Sequence, residues 1–406
     1  MSTTVVAASA AAPDTSAERP GSIARLALLA SIAISFLAAS AAPSPLYQHY
    51  DLVWHGTALT TTEAFGVYAF AVLAGLLLLG EASAHIGRRP VLLASLALQA
   101  ASVLLFATAG SFEPLFVGRV LQGIAAGAAL GTLGAAMIEA HRSHGTVASA
   151  AAPAAGTGIG ALVAGLTVSF LPWPTHLVYV GLAGVFALQA IGVVLLVEAN
   201  QTRPGLLSSL RPTLAVPASA RGAFMAAAPA VFAVWALAGL YGSLGPALVR
   251  ELSGSGSAAL GGLAIFVLAG AGSGTTVLRR THEARAQLTG GIAALVLGVA
   301  VTVVAVAAGS LWVFLVGTFL SGIGFGSGLQ GAIRGTVGLV AAEERPGLLS
   351  AIYLVCYAGM GAPAVIAGFL ISRGLDLTEV TIGYGVGLIL LALLALAQLT
   401  LSRRTR

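Results

Sequence analysis

The sequence predicts an all-α membrane protein: twelve transmembrane helices in two pseudo-symmetric six-helix halves. Three observations predict it. The chain is 58% hydrophobic and only 8% charged over 406 residues, with a mean hydropathy of +0.97, whereas a soluble domain carries about 25% charged residues. The apolar runs have the length of bilayer spans, about 20 residues each. A glycine frame also returns once, nearly half a chain later: Gly118, Leu121, Gly123, Ile124, Gly127 and Leu130 recur as Gly317, Leu320, Gly322, Ile323, Gly326 and Leu329.

In chain order, residues 1–21 read as a disordered tail, rich in Ala, Ser and Thr and without the basic-then-apolar order of a signal peptide. The predicted spans are 22–43, 61–82, 91–109, 115–138, 147–170 and 176–197. A linker over 198–221 carries Pro204, Pro212 and Pro217. The second set is 222–246, 258–277, 288–308, 312–336, 348–372 and 379–400, followed by a short tail, 401–406. The halves are therefore 22–197 and 222–400.

All 19 basic side chains are arginine. With both termini in the cytoplasm, the even number of spans puts nearly all the loop arginines inside; Arg250 and Arg373 fall outside. Cytoplasmic loops carry such a basic excess, so the expected location is the cell membrane, multi-pass. The formal charge of +5 is thus a matter of topology, and no nucleic-acid partner is expected. Tyr47, Tyr50, Trp54 and Trp173 read as interfacial aromatics on the outer side.

Two further stretches repeat. Gly66, Ala69, Val72, Leu73, Ala74 and Gly75 of span two match Gly261, Ala264, Val267, Leu268, Ala269 and Gly270 of span eight. Gly156, Gly158, Ala161, Ala164 and Gly165 of span five match Gly359, Gly361, Ala364, Ala367 and Gly368 of span eleven. Parallel six-span repeats are a transporter architecture, with the substrate path between the halves.

These residues resemble the major facilitator superfamily. The stretch Gly80-Glu-Ala-Ser-Ala84-His-Ile-Gly87-Arg88-Arg89 resembles its Gly-x-x-x-Asp-x-x-Gly-Arg-Arg loop, with Ala84 in place of the acid. Arg119-x-x-Gln122-Gly123 resembles its span-four arginine motif. Pro43-Ser-Pro-Leu-Tyr47 is similar to a drug-efflux-like branch, although Gly156-Thr-Gly-Ile-Gly160 lacks the Gly-Pro pair of the family's span-five antiporter motif. The resemblance implies alternating access, a cavity-facing arginine in proton coupling, and a gating contact at the Gly87-Arg88-Arg89 loop.

Arg119 is the leading candidate, because a charge inside a span costs about 2.5–3.5 kcal/mol on insertion scales. The competing reading is an arginine about one turn into span four that snorkels to the interface. Glu63 is a candidate proton carrier and Gln122 a candidate polar contact. The alternative for Glu63 is an acid in the first helical turn, where it complements the dipole. Tyr47, Tyr68, Trp235, Tyr241, Gln330, Tyr353 and Tyr357 are candidates to line an amphipathic cavity, or else pack between helices. Glu81 or Glu139 is a candidate to replace the missing acid at Ala84 and pair with Arg88 or Arg89. Arg334 reads as a snorkelling anchor. The glycine ladders suit close helix contacts, sliding or static, and residues 156–165 are candidates to bend span five.

Other chemistry is not encoded. Without lysine there is no Walker-type phosphate loop, and no Gly-x-Ser-x-Gly elbow occurs. His141 and His144 lack further metal ligands. Cys356 is the single cysteine. No cofactor is expected and the chain does not read as an enzyme. The expectation is a secondary transporter, monomeric, exporting an amphipathic small molecule in exchange for protons. Import of a small metabolite is the alternative, and a membrane-embedded enzyme or sensor is remote. Few acids in the spans, with Arg119 present, favour neutral or anionic substrates.

Overall fold

The computed structural model describes residues 22–197, 204 and 214–401. The expected tail 1–21, most of the linker and residues 402–406 lie outside these. Twelve helices are long and apolar enough to cross a membrane, and no strand occurs among the described residues. The first half holds α1 (Ser22–Ala41), α2 (Tyr47–Trp54), α3 (Ala58–Leu79), α4 (Ala82–Ile86), α5 (Arg88–Thr108), α6 (Phe112–Ala140), α7 (Arg142–Phe170) and α8 (Leu177–Leu196). The second holds α9 (Ala218–Ser243), α10 (Gly245–Ser253), α11 (Ala258–Leu278), α12 (Ala284–Ala307), α13 (Leu311–Val337), α14 (Arg345–Ser372) and α15 (Leu377–Leu401). The even number of crossings puts both termini at one end of the bundle, here the termini end; the opposite end is the far end.

Each half makes the same set of contacts. The pairs α3·α6, α5·α6, α5·α8 and α1·α7 in the first half recur as α11·α13, α12·α13, α12·α15 and α9·α14 in the second. The two halves meet through α7·α11 and its counterpart α14·α3. This is the two-fold relation that the sequence repeats predict. The glycine ladders belong to the first kind of contact. A Cβ on Gly123 or Gly127 would strike the α3 backbone at Tyr68, Val72 and Leu76, and one on Gly322 or Gly326 would strike the α11 backbone at Leu268 and Gly272. They serve close packing inside each half, so a sliding role between halves does not apply to them.

Span one differs from expectation. Pro43 and Pro45 lack the N–H groups that would continue the helix. The chain makes a 3-10 turn over Ser44–Leu46, then the short helix α2. Span seven breaks in the same place, where Gly245-Pro246 opens α10. Both short helices end on a left-handed residue, His55 (φ 56°) and Gly254 (φ 63°). Tyr47 and Tyr50 are consequently turned inward and buried, with Trp54 stacked on Tyr50 at 4.3 Å. They are core residues rather than interfacial anchors; Trp173, 75% exposed, does sit at the surface.

Span five is one uninterrupted helix through its glycines, Arg142–Phe170, with Pro153 inside it. Gly156 and Gly160 admit α1, while Gly158 and Gly165 admit α11. The glycines of this span thus serve close approach on two faces.

Candidate functional site

Helix α6 begins at Phe112, so Arg119 lies two turns inside it rather than one. The side chain is completely buried, which removes the snorkelling alternative. Nη1 donates to the Ser40 carbonyl and to Gln122 Oε1, each at 2.8 Å; Nε donates to Tyr47 Oη at 3.1 Å, and Nη2 donates to the same hydroxyl. The rings of Tyr68, Tyr47 and Phe106 surround the guanidinium at 5.3, 5.6 and 5.8 Å. Among the described residues no carboxylate pairs with it.

A buried cation without an acid needs another source of negative potential. The break in span one supplies it. Ser40 lies in the last turn of α1, where carbonyls lack intrahelical partners and the helix dipole is negative. Pro43 removes an N–H that could have served that turn. Arg119 therefore caps a broken helix, while three aromatic faces add cation–π attraction.

Glu63 is not part of this cluster. The α3 capping box starts at Thr57, which moves Glu63 beyond the first turn, and the residue is exposed without an ion pair. The first-turn reading of Glu63 is corrected by this one-turn shift, and no pairing with Arg119 is observed among the described residues. Gln122 is at the site, and its Nε2 is buried without a partner.

The second half places its candidates in two groups. Trp235 contacts Tyr357 at 4.9 Å and Phe325 at 6.3 Å, joining α9, α14 and α13. Tyr357 lies one turn before Gly361, which packs against Ala69 and Phe70, the residues after Tyr68. Tyr353 is one turn earlier on α14 than Tyr357 and partly buried. Trp235 Nε1 and Gln330 Oε1 are buried polar atoms without a protein partner. Tyr241 is apart from these: its hydroxyl bonds Thr318 Oγ1 at 2.9 Å and Thr302 Oγ1 at 3.2 Å in the packed interior. Thr318 is the repeat counterpart of Arg119, so a tyrosine hydroxyl meets that position in both halves.

At the termini end, Gly87 takes φ 92°, a conformation that favours glycine, and starts α5 at Arg88. The Arg88 guanidinium makes two hydrogen bonds to the Glu139 carboxylate at the end of α6. Of the two acids considered, Glu139 is the one brought to the loop. Glu81 caps α4 without a side-chain bond, and neither Glu81 nor Arg89 has an ion pair among the described residues. Arg334 donates to the Arg280 and His282 carbonyls at 2.9 and 3.0 Å, bracing a loop. His141 and His144 contact each other at 3.0 Å, and no group of three metal-type ligands occurs among the described residues.

Sequence reasoning missed Ser40, Asp51, Thr61 and Gln99. Ser40 contributes a carbonyl, which no residue type signals. Gln99, fully buried, donates from Nε2 to the Gln122 carbonyl at 3.3 Å. Asp51 was assigned to a loop; it accepts from Thr61 Oγ1 at 2.9 and 3.1 Å. An acid four residues after an inward tyrosine was the available signal.

The fold has many solved counterparts. The nucleoside transporter NupG superposes with a TM-score of 0.70 at 11% identity, over 92% of this chain and 99% of that one. A bacterial homologue of the human lysosomal transporter Spinster, inward-facing and unoccupied, gives 0.73 at 15% identity, over 94% and 97%. At such identities the likeness concerns the fold alone. No curated protein matches in sequence. The family model of the Major Facilitator Superfamily matches residues 26–365, most of the chain and both breaks included, and the chain belongs to that superfamily of transporters.

Proposed function

We propose that the chain is a secondary transporter that works by alternating access and exports a neutral or anionic amphipathic small molecule in exchange for protons. The observation that carries the reading is Arg119: a buried guanidinium with no acid beside it and Gln122 Nε2 left without an acceptor. A fixed positive potential disfavours cationic cargo and favours electron-rich groups. Trp235 Nε1 offers a donor beside the ring of Tyr357, and Gln330 Oε1 is a buried acceptor in the same half, the kinds of groups expected of an amphipathic binding site. Arg88–Glu139 is the gating contact of the termini end, which the arginine distribution assigns to the cytoplasm. The halves 22–197 and 222–400 act as the two moving bodies, in a monomer, in the cell membrane.

The test is accumulation of aromatic carboxylates and of their uncharged amides in inverted vesicles with an imposed pH gradient. Uptake that collapses with the gradient, and falls at least tenfold in Arg119→Ala, supports the reading. Uptake indifferent to the gradient removes proton coupling. Uptake only in right-side-out vesicles reverses the direction, in favour of import.

A further inference from the structure

We propose that the groove between α9, α14 and α15 in the second half binds a phospholipid of the far leaflet, and that its mouth selects a headgroup with a primary ammonium. The groove lies outside the path between the halves, so the inference depends neither on the cargo nor on the coupling ion.

The groove has a volume of about 390 Å³. Three helix faces converge on it. Helix α14 contributes Pro363, Ile366 and Leu370, and α9 contributes Phe232 and Ala236, residues three or four apart and hence on one face of each helix. Helix α15 contributes a straight row at spacing four: Glu379, Gly383, Gly387 and Leu391. The two glycines in that row leave the hollow, since a Cβ on either would meet nothing within 4 Å. Tyr384 holds it open: its ring reaches across from α15, and its hydroxyl donates to the Ala236 carbonyl on α9 at 2.7 Å. In the first half the matching seam is drawn together instead, because Gln189 of α8 bonds Ser35 and Ser31 of α1 at 2.9 and 3.2 Å.

Depth and chemistry identify the occupant. From Glu379 to Leu391, α15 rises about 18 Å, close to the roughly 15 Å of one leaflet's hydrocarbon. Glu379 is the one charged residue of the wall, and the Tyr384 hydroxyl is already bonded. Below its mouth the groove therefore offers water no unpaired side-chain partner and suits an acyl chain.

The mouth carries the selectivity. Glu379 stands in the first turn of α15 at the far end, exposed and without an ion pair among the described residues. Arg373, just beyond α14 at the same end, is held over the Phe369 ring at 4.9 Å. A carboxylate accepts from N–H donors and a guanidinium grips phosphate oxygens, so the two match a zwitterionic head that carries both groups. A quaternary ammonium has no N–H to donate. An anionic head meets an acidic rim: Glu251 of α10, which accepts from Thr378, Asp376 and Glu379, against Arg250 and Arg373. That balance disfavours it.

The test uses the full-length chain in detergent, supplied with dioleoyl phosphatidylethanolamine, phosphatidylcholine or phosphatidylglycerol, with retained lipid counted by native mass spectrometry. The expected result is one retained phosphatidylethanolamine, preferred over each of the others about two- to five-fold, as an exposed ionic contact gives. Glu379→Gln should erase that preference while a lipid is still retained. Gly387→Leu, whose side chain enters the hollow, should lose the lipid, whereas Gly387→Ala should keep it. Glu379→Gln, on the exposed first turn, decides the question even if Gly387→Leu does not fold. Equal retention by the wild type and Gly387→Leu, or an unchanged headgroup preference in Glu379→Gln, would overturn the site. Displacement of the lipid by the aromatic carboxylates of the transport assay would give the groove to cargo. A lipid-free dimer that Gly387→Leu dissociates would give it to a second copy of the chain. Either result also overturns the proposal.

Discussion

Tyr47→Phe removes one oxygen and reports what Arg119 needs. That oxygen accepts from both Nε and Nη2, and the guanidinium is sealed from water. Hydrogen bonds to charged groups contribute about 1.5–3 kcal/mol each. Two are lost, and one of the freed donors regains part through ring faces, so the expected cost is about 3 kcal/mol. With Arg119→Met already present, no donor is orphaned by the change, and Tyr47→Phe should cost about 0–1 kcal/mol. The coupling is then about 2–3 kcal/mol, the upper part of the range for contacting residues. Unfolding in mixed micelles of dodecyl maltoside and SDS, compared at one SDS fraction for the four proteins, measures it. Equal costs of Tyr47→Phe in both backgrounds would refute the reasoning, and with it the claim that the α1 break is held by Arg119.

Three further outcomes follow from the packing. Tyr241→Phe should cost only about 0.5–1.5 kcal/mol in the same assay, because Thr302 and Thr318 already donate to the Gly298 and Phe314 carbonyls. Gly127→Ala should destabilise by about 1–3 kcal/mol, since its Cβ meets α3 backbone, whereas Gly134→Ala on the same helix meets nothing within 4 Å and should gain up to about 1 kcal/mol; thermal unfolding separates the two. Glu139→Gln should slow transport with a stability loss under about 1 kcal/mol, and Arg88→Glu with Glu139→Arg should recover most of the rate; an exchange as slow as Glu139→Gln alone would show that this pair is not the gating contact.

The fold was legible because its signals are local or periodic. Span length and loop arginines need no knowledge of partners, and the Gly118 and Gly317 frames repeat because each faces the same neighbour in its own half. The Arg88–Glu139 pair was half legible: the loop and the need for an acid could be read, while the choice between Glu81 and Glu139 depends on where α6 ends. The Arg119 cluster was legible only in its centre. Its partners Tyr47 and the Ser40 carbonyl lie 72 and 79 positions away, and one of them is backbone. Tyr47 and Tyr50 were misread because aromatics just beyond an apolar run usually mark the interface; the prolines at 43 and 45, which turn the chain back inward, carried the opposite message. The first-turn placement of Glu63 was off by one turn of helix: the cap is Thr57 rather than Thr60, and the acid lies on an exposed face of α3.

The two halves are alike in scaffold and unlike in charge at one position. Each has a span broken at a proline, a short helix closed by a left-handed residue, and a tyrosine hydroxyl reaching the same register of its fourth span. In the second half that hydroxyl meets Thr318, and the contacts there are between neutral groups. In the first it meets Arg119, whose charge is balanced by the end of a helix and by rings rather than by an acid. Such a balance depends on geometry, because dipole and cation–π attraction fall off within a turn or a ring diameter. Moving α2 relative to α6 therefore changes the electrostatic energy of the first half far more than the same motion of α10 changes that of the second. The repeat supplies two broken spans, and the arginine puts a buried charge beside one of them.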